Sequence, residues 1–216
     1  MPDLPELSDL PFAAHLTAAD DGLAPGGDYD TVLFERAEFD QPNAASARFL
    51  ECAFSKVSVT GGKLQRTRLR DVWIRDLRLT GTNVSESEWL DVTVLASSLA
   101  GAQIFGSQLR RVVFSGCKLD SVNFRAGRLH EVHFDHCVLR DVDFADAELT
   151  GCSFSGSQLV RTDFSRVRMD RTDLRGAELG LIIDAQSLRG AIVSSGQLVT
   201  LAPVLAATLG LVVSDD

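Results

Sequence analysis

The sequence predicts an all-β solenoid, and three observations predict it. First, every fifth residue from Tyr29 to Leu179 is apolar, through 31 positions that include Phe34, Phe54, Ile74, Trp89, Leu109, Phe134 and Phe164. Only Ala44 among them is small. At the overall apolar content of 45%, chance gives such a run with a probability on the order of 10⁻¹¹. Second, the residue two places earlier is small or β-branched in every unit except those of Pro42 and Leu77. A large and a small side chain therefore alternate inward, which fills a narrow core to native density. Third, the other three positions of each unit carry nearly all the charge. A period of five is neither 3.6 nor 2, so it excludes ordinary helices and alternating strands here and demands a repeat architecture.

The chain divides into an N-terminal segment, 1–26, the repeat, 27–181, and a C-terminal segment, 182–216. Residues 1–26 carry Leu4, Leu7, Leu10, Phe12 and Leu16 among Pro, Asp and Gly, and read as a loosely ordered cap. A solenoid has to hide its open ends or rods stack on one another. After Leu179 the register slips by one residue before Leu188 and Val193 resume it. Ser194–Leu209 then changes to helical spacing. Ser194 and Gln197 form a capping-box pair, Leu198, Leu201, Leu205 and Leu209 are expected to share one face, and Gly210 is the stop. Pro203 is expected to kink or split this helix, and Leu211–Val213 to form a short strand. The segment reads either as a cap alone or as a cap that also pairs two chains into a homodimer.

Units such as Val142-Asp143-Phe144-Ala145-Asp146 and Thr172-Asp173-Leu174-Arg175-Gly176 resemble the pentapeptide-repeat family, with its small–acidic–Leu/Phe–x–x pattern. The resemblance covers 155 of 216 residues, and the family's Asp or Asn before the large residue is present in seven units. It implies a right-handed, quadrilateral parallel β-helix with 20 residues per coil and a rod roughly 37 Å long at the strand spacing. Phe and Leu alternate strictly from Leu109 to Phe164, so with four sides Phe should stack on two opposite sides and Leu on the other two. Like-on-like ladders then hold the register.

The net charge is −9, but the repeat holds 22 acids against 20 bases and is close to neutral. A basic nucleic-acid surface is not expected. The first 20 residues lack Lys and Arg, unlike a secretory signal, and the 18-residue uncharged run 92–109 stays in the five-residue register rather than forming a membrane span. A cytoplasmic protein is expected. Cys52, Cys117, Cys137 and Cys152 all occupy the small inward position and read as buried fillers. Cys117 and Cys137 lie one coil apart, but parallel side chains disfavour the disulfide torsion.

No nucleophile-elbow, P-loop, dinucleotide or paired CxxC pattern is present, so neither an enzyme nor a cofactor is expected. His130, His133 and His136 read as surface histidines, and Asp143, Asp146 and Glu148 lack the concave site that acid–base work needs. Two interaction readings remain. Resemblance to the quinolone-resistance branch implies a DNA mimic that binds a type II topoisomerase, DNA gyrase or topoisomerase IV. Its candidate patch is Glu131, Asp135, Asp141, Asp143, Asp146 and Glu148, set against Arg140 alone. The alternative is a scaffold that docks a partner through an apolar belt of Leu90, Leu95 and Phe105, outward positions that are normally polar.

Overall fold

One residue in five turns the chain. Every fifth position from Thr31 to Gly176 has positive φ, including bulky residues such as Glu51 (φ 50), Asp91 (φ 55) and Arg161 (φ 50). The left-handed region is costly for such side chains. Here it is imposed by the strands on either side, which cannot both keep their ladders unless the residue between them bends the chain through a corner.

The computed structural model describes residues 5–19, 22–184 and 186–212 and shows a parallel β-solenoid of about eight turns with one C-terminal helix. Ladder partners lie 20 residues apart, as in Trp89↔Leu109 and Leu129↔Leu149. Four units therefore make one coil. Numbered from 27, coil 1 is 27–46, coil 2 is 47–66, and coil 8 begins at 167. The side carrying Tyr29 is called the first, followed by those of Phe34, Phe39 and Ala44. The first three sides carry ladders of strands. The fourth is held by single bridges such as Asn83↔Gln103 and Asn123↔Asp143.

The core follows the expected alternation. Phe114, Phe134 and Phe154 stack on the second side at 5.0 Å between ring centroids, with planes 3° and 9° apart. On the fourth side Phe124 and Phe144 stack at 5.1 Å and 5°, and Phe164 follows at 5.3 Å, tilted by 42°. Across the core the two stacks meet edge to face, for instance Phe134–Phe144 at 5.9 Å and 81°, an arrangement aromatic rings favour. Coils 3 and 4 instead use Leu69, Ile74, Leu79, Val84, Val94, Leu99 and Ile104 around Trp89. A cavity of about 60 Å³ runs beside them, lined by Leu23, Phe49, Leu79, Val84 and Trp89 among others. The buried Trp89 Nε1 has no hydrogen-bond partner.

At the C-terminal end the one-residue slip is visible in the ladder. Val160 pairs with Gly180 but Thr162 with Leu181, and Thr172 pairs with Ala191, 19 residues on. Gly180 sits where a Cβ would lie 2.6 Å from the Leu159 carbonyl oxygen, so the slip requires a residue without one. Helix α1 spans Ser195–Thr208. The Ser194–Gln197 capping box forms as expected, and Gly210 (φ 72) ends the helix with Leu211 N–H donating to the Ala206 carbonyl. Two expectations fail. The helix continues through Pro203 without splitting, because a proline forfeits one bond of a ladder whose neighbours persist. Leu211 and Val212 form no strand, and Val213 lies outside the described residues.

The N-terminal segment also departs from expectation. Leu4 lies outside the described residues. Leu7, Leu10 and Leu16 do not sit over the open end. They run along the side of the rod against Leu33, Ala53, Trp73 and Leu95. Only Ala19 and Leu23 join the solenoid core, where the Tyr29 hydroxyl accepts from Ala24 N–H and donates to the Gly22 carbonyl.

Candidate interaction surfaces

The coil period decides which charges are neighbours. Residues 131–148 span nearly one full coil, so the six acids of this stretch point outward around all four sides rather than forming one patch. The arginines that pair with four of them are 18 to 21 residues away, in the coils above and below. Asp141 receives both ends of the Arg161 guanidinium at 2.6 and 2.5 Å. Asp146 binds Arg166 at 2.7 and 2.8 Å and Arg125 at 3.0 Å. Asp143 takes Arg125 at 2.9 Å, and Glu148 pairs with Arg168 and Arg128. Glu131 faces His130 at 3.8 Å. Among the described residues Asp135 has no ion pair. The sequence count of six acids against one base therefore overstates the free charge. Linear windows miss the arginines that stacking brings in.

These pairs leave a trace in acidity. The hydrogen bonds from Arg161 and Arg166 hold the carboxyls of Asp141 and Asp146 below the usual range. Arg111 does the same to Asp91 between coils 4 and 5. The pairs stay on the surface: the side chains of Asp141, Asp143, Asp146 and Glu148 keep 38%, 30%, 40% and 43% exposure. Exposed pairs of this kind are screened by solvent and contribute little to stability, so a competing cation can displace the arginine.

The histidines diverge. His130 lies on the first side and His133 on the second, where its Nδ1 meets the Ser153 hydroxyl at 2.8 Å, while His136 occupies a corner with φ 51. The cysteines are all buried and free. Burial pushes the Cys52 thiol up to about 11 and that of Cys152 to about 12. Cys137, whose thiol shares a hydrogen bond with the Cys117 thiol and is buried with it, is raised further, against the lowering pull of the Cys117 N–H.

The apolar belt is not assembled. Leu95 is only 7% exposed, beneath the N-terminal segment, as is Trp73 at 3%. Leu90 is half-buried on the first side, and Phe105, exposed on the fourth, stands apart from both. The outward register gave the right apolar positions, but nothing in it showed that another segment covers them. The helical stripe also rotates. Leu201 is buried and Leu205 half-buried against the rod, whereas Leu198 and Leu209 are exposed, together with Val199 and Val204. The docked face is fixed by Gln197, whose side-chain amide donates to the Leu174 and Ala177 carbonyls of the last coil. No helix among the described residues is long and apolar enough to cross a membrane.

Residues 106–164 match the sequence model of the pentapeptide repeat region. Comparison with curated proteins gives no match. Among solved structures, a trypsin-treated variant of QnrB1, a plasmid-mediated fluoroquinolone resistance protein, aligns over 91% of this chain and 96% of its own at 17% identity, with a TM-score of 0.46. HetL, a pentapeptide repeat protein involved in heterocyst differentiation regulation from Nostoc sp. strain PCC 7120, aligns over 78% and 91% at 16% identity and a TM-score of 0.33. A pentapeptide repeat protein from the Arabidopsis thaliana thylakoid lumen aligns over 70% and 83% at 15% identity and a TM-score of 0.29.

Proposed function

From a chain with the pentapeptide-repeat fold, we propose a non-catalytic interaction protein whose partner is another protein. The specific partner is a type II topoisomerase, DNA gyrase or topoisomerase IV, engaged in the cytoplasm as a partial DNA mimic. One observation carries the mimicry reading. Asp141, Asp143, Asp146 and Glu148 stand on the outside of a stiff rod in positions fixed by arginines, yet remain exposed. The three aspartates belong to an acidic band: coil 6, 127–146, holds five acids against two bases, with Glu148 at the start of coil 7. Coil 1, with five acids against one base, forms a second, about 24 Å away at the strand spacing. A protein groove lined with Lys and Arg to grip phosphates would exchange its cations for the rod's own. The mimic is partial because B-DNA carries about one charge per 1.7 Å, far more than this rod.

A homodimer through the C-terminal end belongs to the same reading. Leu198, Val199 and Leu209 are 52%, 75% and 66% exposed on the outer side of α1, and a second copy would cover them. Sedimentation of the intact chain tests this directly, and a monomer at all concentrations removes the dimer while leaving the partner reading intact.

The partner test is competition with DNA for gyrase. The wild type should displace DNA at low salt, and its advantage should shrink as salt rises through about 0.15 M, where the screening length is about 8 Å. Replacing Asp141, Asp143 and Asp146 with Asn and Glu148 with Gln should lower competition several-fold without unfolding the rod. A wild type that never competes at any salt rejects the topoisomerase reading.

A further inference from the structure

The strip covered by the N-terminal segment has the marks of a docking site occupied in cis. We infer that Leu33, Ala53, Trp73 and Leu95 form a side groove for an acidic, leucine-bearing segment of a partner protein, and that residues 5–16 are a strap lying in it. The strip is unlike the rest of the surface. At the outward position just before the large residue, the second side carries Leu33, Ala53 and Trp73 in three successive coils, where later coils carry Thr93, Val113, His133, Ser153 and Asp173, of which Val113 alone is apolar. Leu95, in the fourth coil, stands one row over, in line with Arg75, and joins the same cluster. A five-residue repeat does not need these apolar side chains: all four point away from its core and form a separate cluster with Leu7, Leu10 and Leu16.

The strap shows what the strip recognises. The Trp73 indole N–H donates to the Pro5 carbonyl at 2.9 Å, and the Arg75 guanidinium pairs with Glu6. Lys56 stands exposed at a corner of the same side. The strap carries Glu6 and Asp9 and no Lys or Arg, and its Glu6 is met by Arg75 on a side that also carries the acids Glu35, Glu51, Asp71 and Asp76. Its leucines supply the apolar contact.

Its attachment is slight. Two short 3-10 turns, Leu7–Asp9 and Ala13–His15, hold its shape, and the link to the rod's ladder is the two-residue strand Thr17–Ala18 pairing with Val32 and Leu33. Leu7, Leu10 and Leu16 are only half-buried, and Phe12 is the one buried apolar side chain of the strap. Segments with few buried apolar contacts open locally long before the whole molecule unfolds. A segment of the same chemistry, supplied in trans, would then compete for the open strip. This surface lies on coils 1–4 and shares coil 1 with the second acidic band, but the topoisomerase test changes only Asp141, Asp143, Asp146 and Glu148, so its failure and that of the topoisomerase reading are separable.

The test uses the full chain and a labelled synthetic peptide carrying residues 5–18. Hydrogen exchange of the strap amides should run at least about a hundredfold faster than that of the coil 5–7 strands. Replacing Leu7 and Leu10 together with Ala loosens the strap, and the peptide should then bind about tenfold tighter than to wild type, because a larger fraction of the strip is open. Adding Trp73→Ala to that variant should abolish binding, and a peptide carrying Gln and Asn for Glu6 and Asp9 should bind several-fold more weakly. Folding of each variant is read from its far-ultraviolet circular dichroism. Peptide binding that never appears in the loosened variant, or a strap that exchanges only at the global unfolding rate, overturns the inference. So does a dimer of the intact chain that dissociates when Leu7 and Leu10 are replaced, since the occupant would then be a second copy.

Discussion

Coils 3–4 and coils 5–7 share one backbone and fill it differently. Both keep the same 20-residue ladder and the same left-handed corners. In coils 5–7 every large inward residue stands on one of its own kind, Phe on Phe and Leu on Leu. In coils 3–4 Leu69 stands under Trp89, and Ile74 under Val94. Unequal shapes leave the cavity of about 60 Å³ and the unpartnered Trp89 Nε1. The five-residue rule demands a large apolar side chain but not which one, and close packing comes from vertical repetition rather than from the rule itself.

The comparison breaks most sharply under truncation. Phe134→Ala removes a ring gripped above, below and from the side, and should destabilise by about 3–5 kcal/mol, whereas Leu79→Ala beside the cavity should fall near the low end of the range for such changes, about 2–3 kcal/mol. Urea unfolding measures both, and equal losses would mean that the cavity does not loosen its neighbours. The outward change Asp135→Ala should stay well under about 1 kcal/mol.

Thiol labelling reads the same contrast without touching the core. Cys52 lies in coil 2, near the looser coils, and Cys152 in coil 7, and burial raises both thiols, to about 11 and about 12. At pH 8 each is protonated and shielded, so labelling requires local opening. Cys52 should react first, by about an order of magnitude. Simultaneous labelling would make the rod a single cooperative unit.

Filling the cavity should narrow the difference. Val84→Ile adds one methylene at its wall and should stabilise by about 0.5–1 kcal/mol. The same change at Val132, packed and fully buried in coil 6, should destabilise by about 1–3 kcal/mol through overpacking.

The pattern legible in the sequence was the one that repeats. The inward positions, the Phe and Leu ladders, the slip after Leu179 and the Ser194 cap could be read because each is a local spacing. Three features could not. The corner conformation is shared by glycine, arginine and glutamate alike, so no residue type signals it. The ion pairs join residues 20 apart, and a window over 131–148 counts acids without their arginines. The strap depends on where a segment outside the repeat lies, which only the three-dimensional path settles. Leu95 did stand out as an apolar residue at an outward position, and Trp73 is another. What they lacked was the sequence of the segment that covers them written beside them.

The smallest expected effect tests whether the two regions differ at the surface as well. Asp91 pairs with Arg111 where coil 4 meets coil 5, and Asp141 pairs with Arg161 between coils 6 and 7, each through two hydrogen bonds. Both carboxyls are held below their ordinary value, first by the arginine hydrogen bond. A carboxyl lowered in the folded state contributes stability that is fully present above its unfolded value, near 3.8, and is lost as the pH falls through its folded value. Stability should therefore be flat from pH 7 to about 5 and decline below about 4. Arg111→Ala and Arg161→Ala should each flatten that decline slightly and by similar amounts, because both pairs are solvent-exposed and screened alike. Denaturant midpoints at pH 3 and pH 6 for the two variants measure it. If Arg111→Ala alone changes the acid limb, the looser coils lean on their surface pairs to offset a poorer core. If neither changes it, the ladder of charges contributes to the rod's surface chemistry and not to its folding.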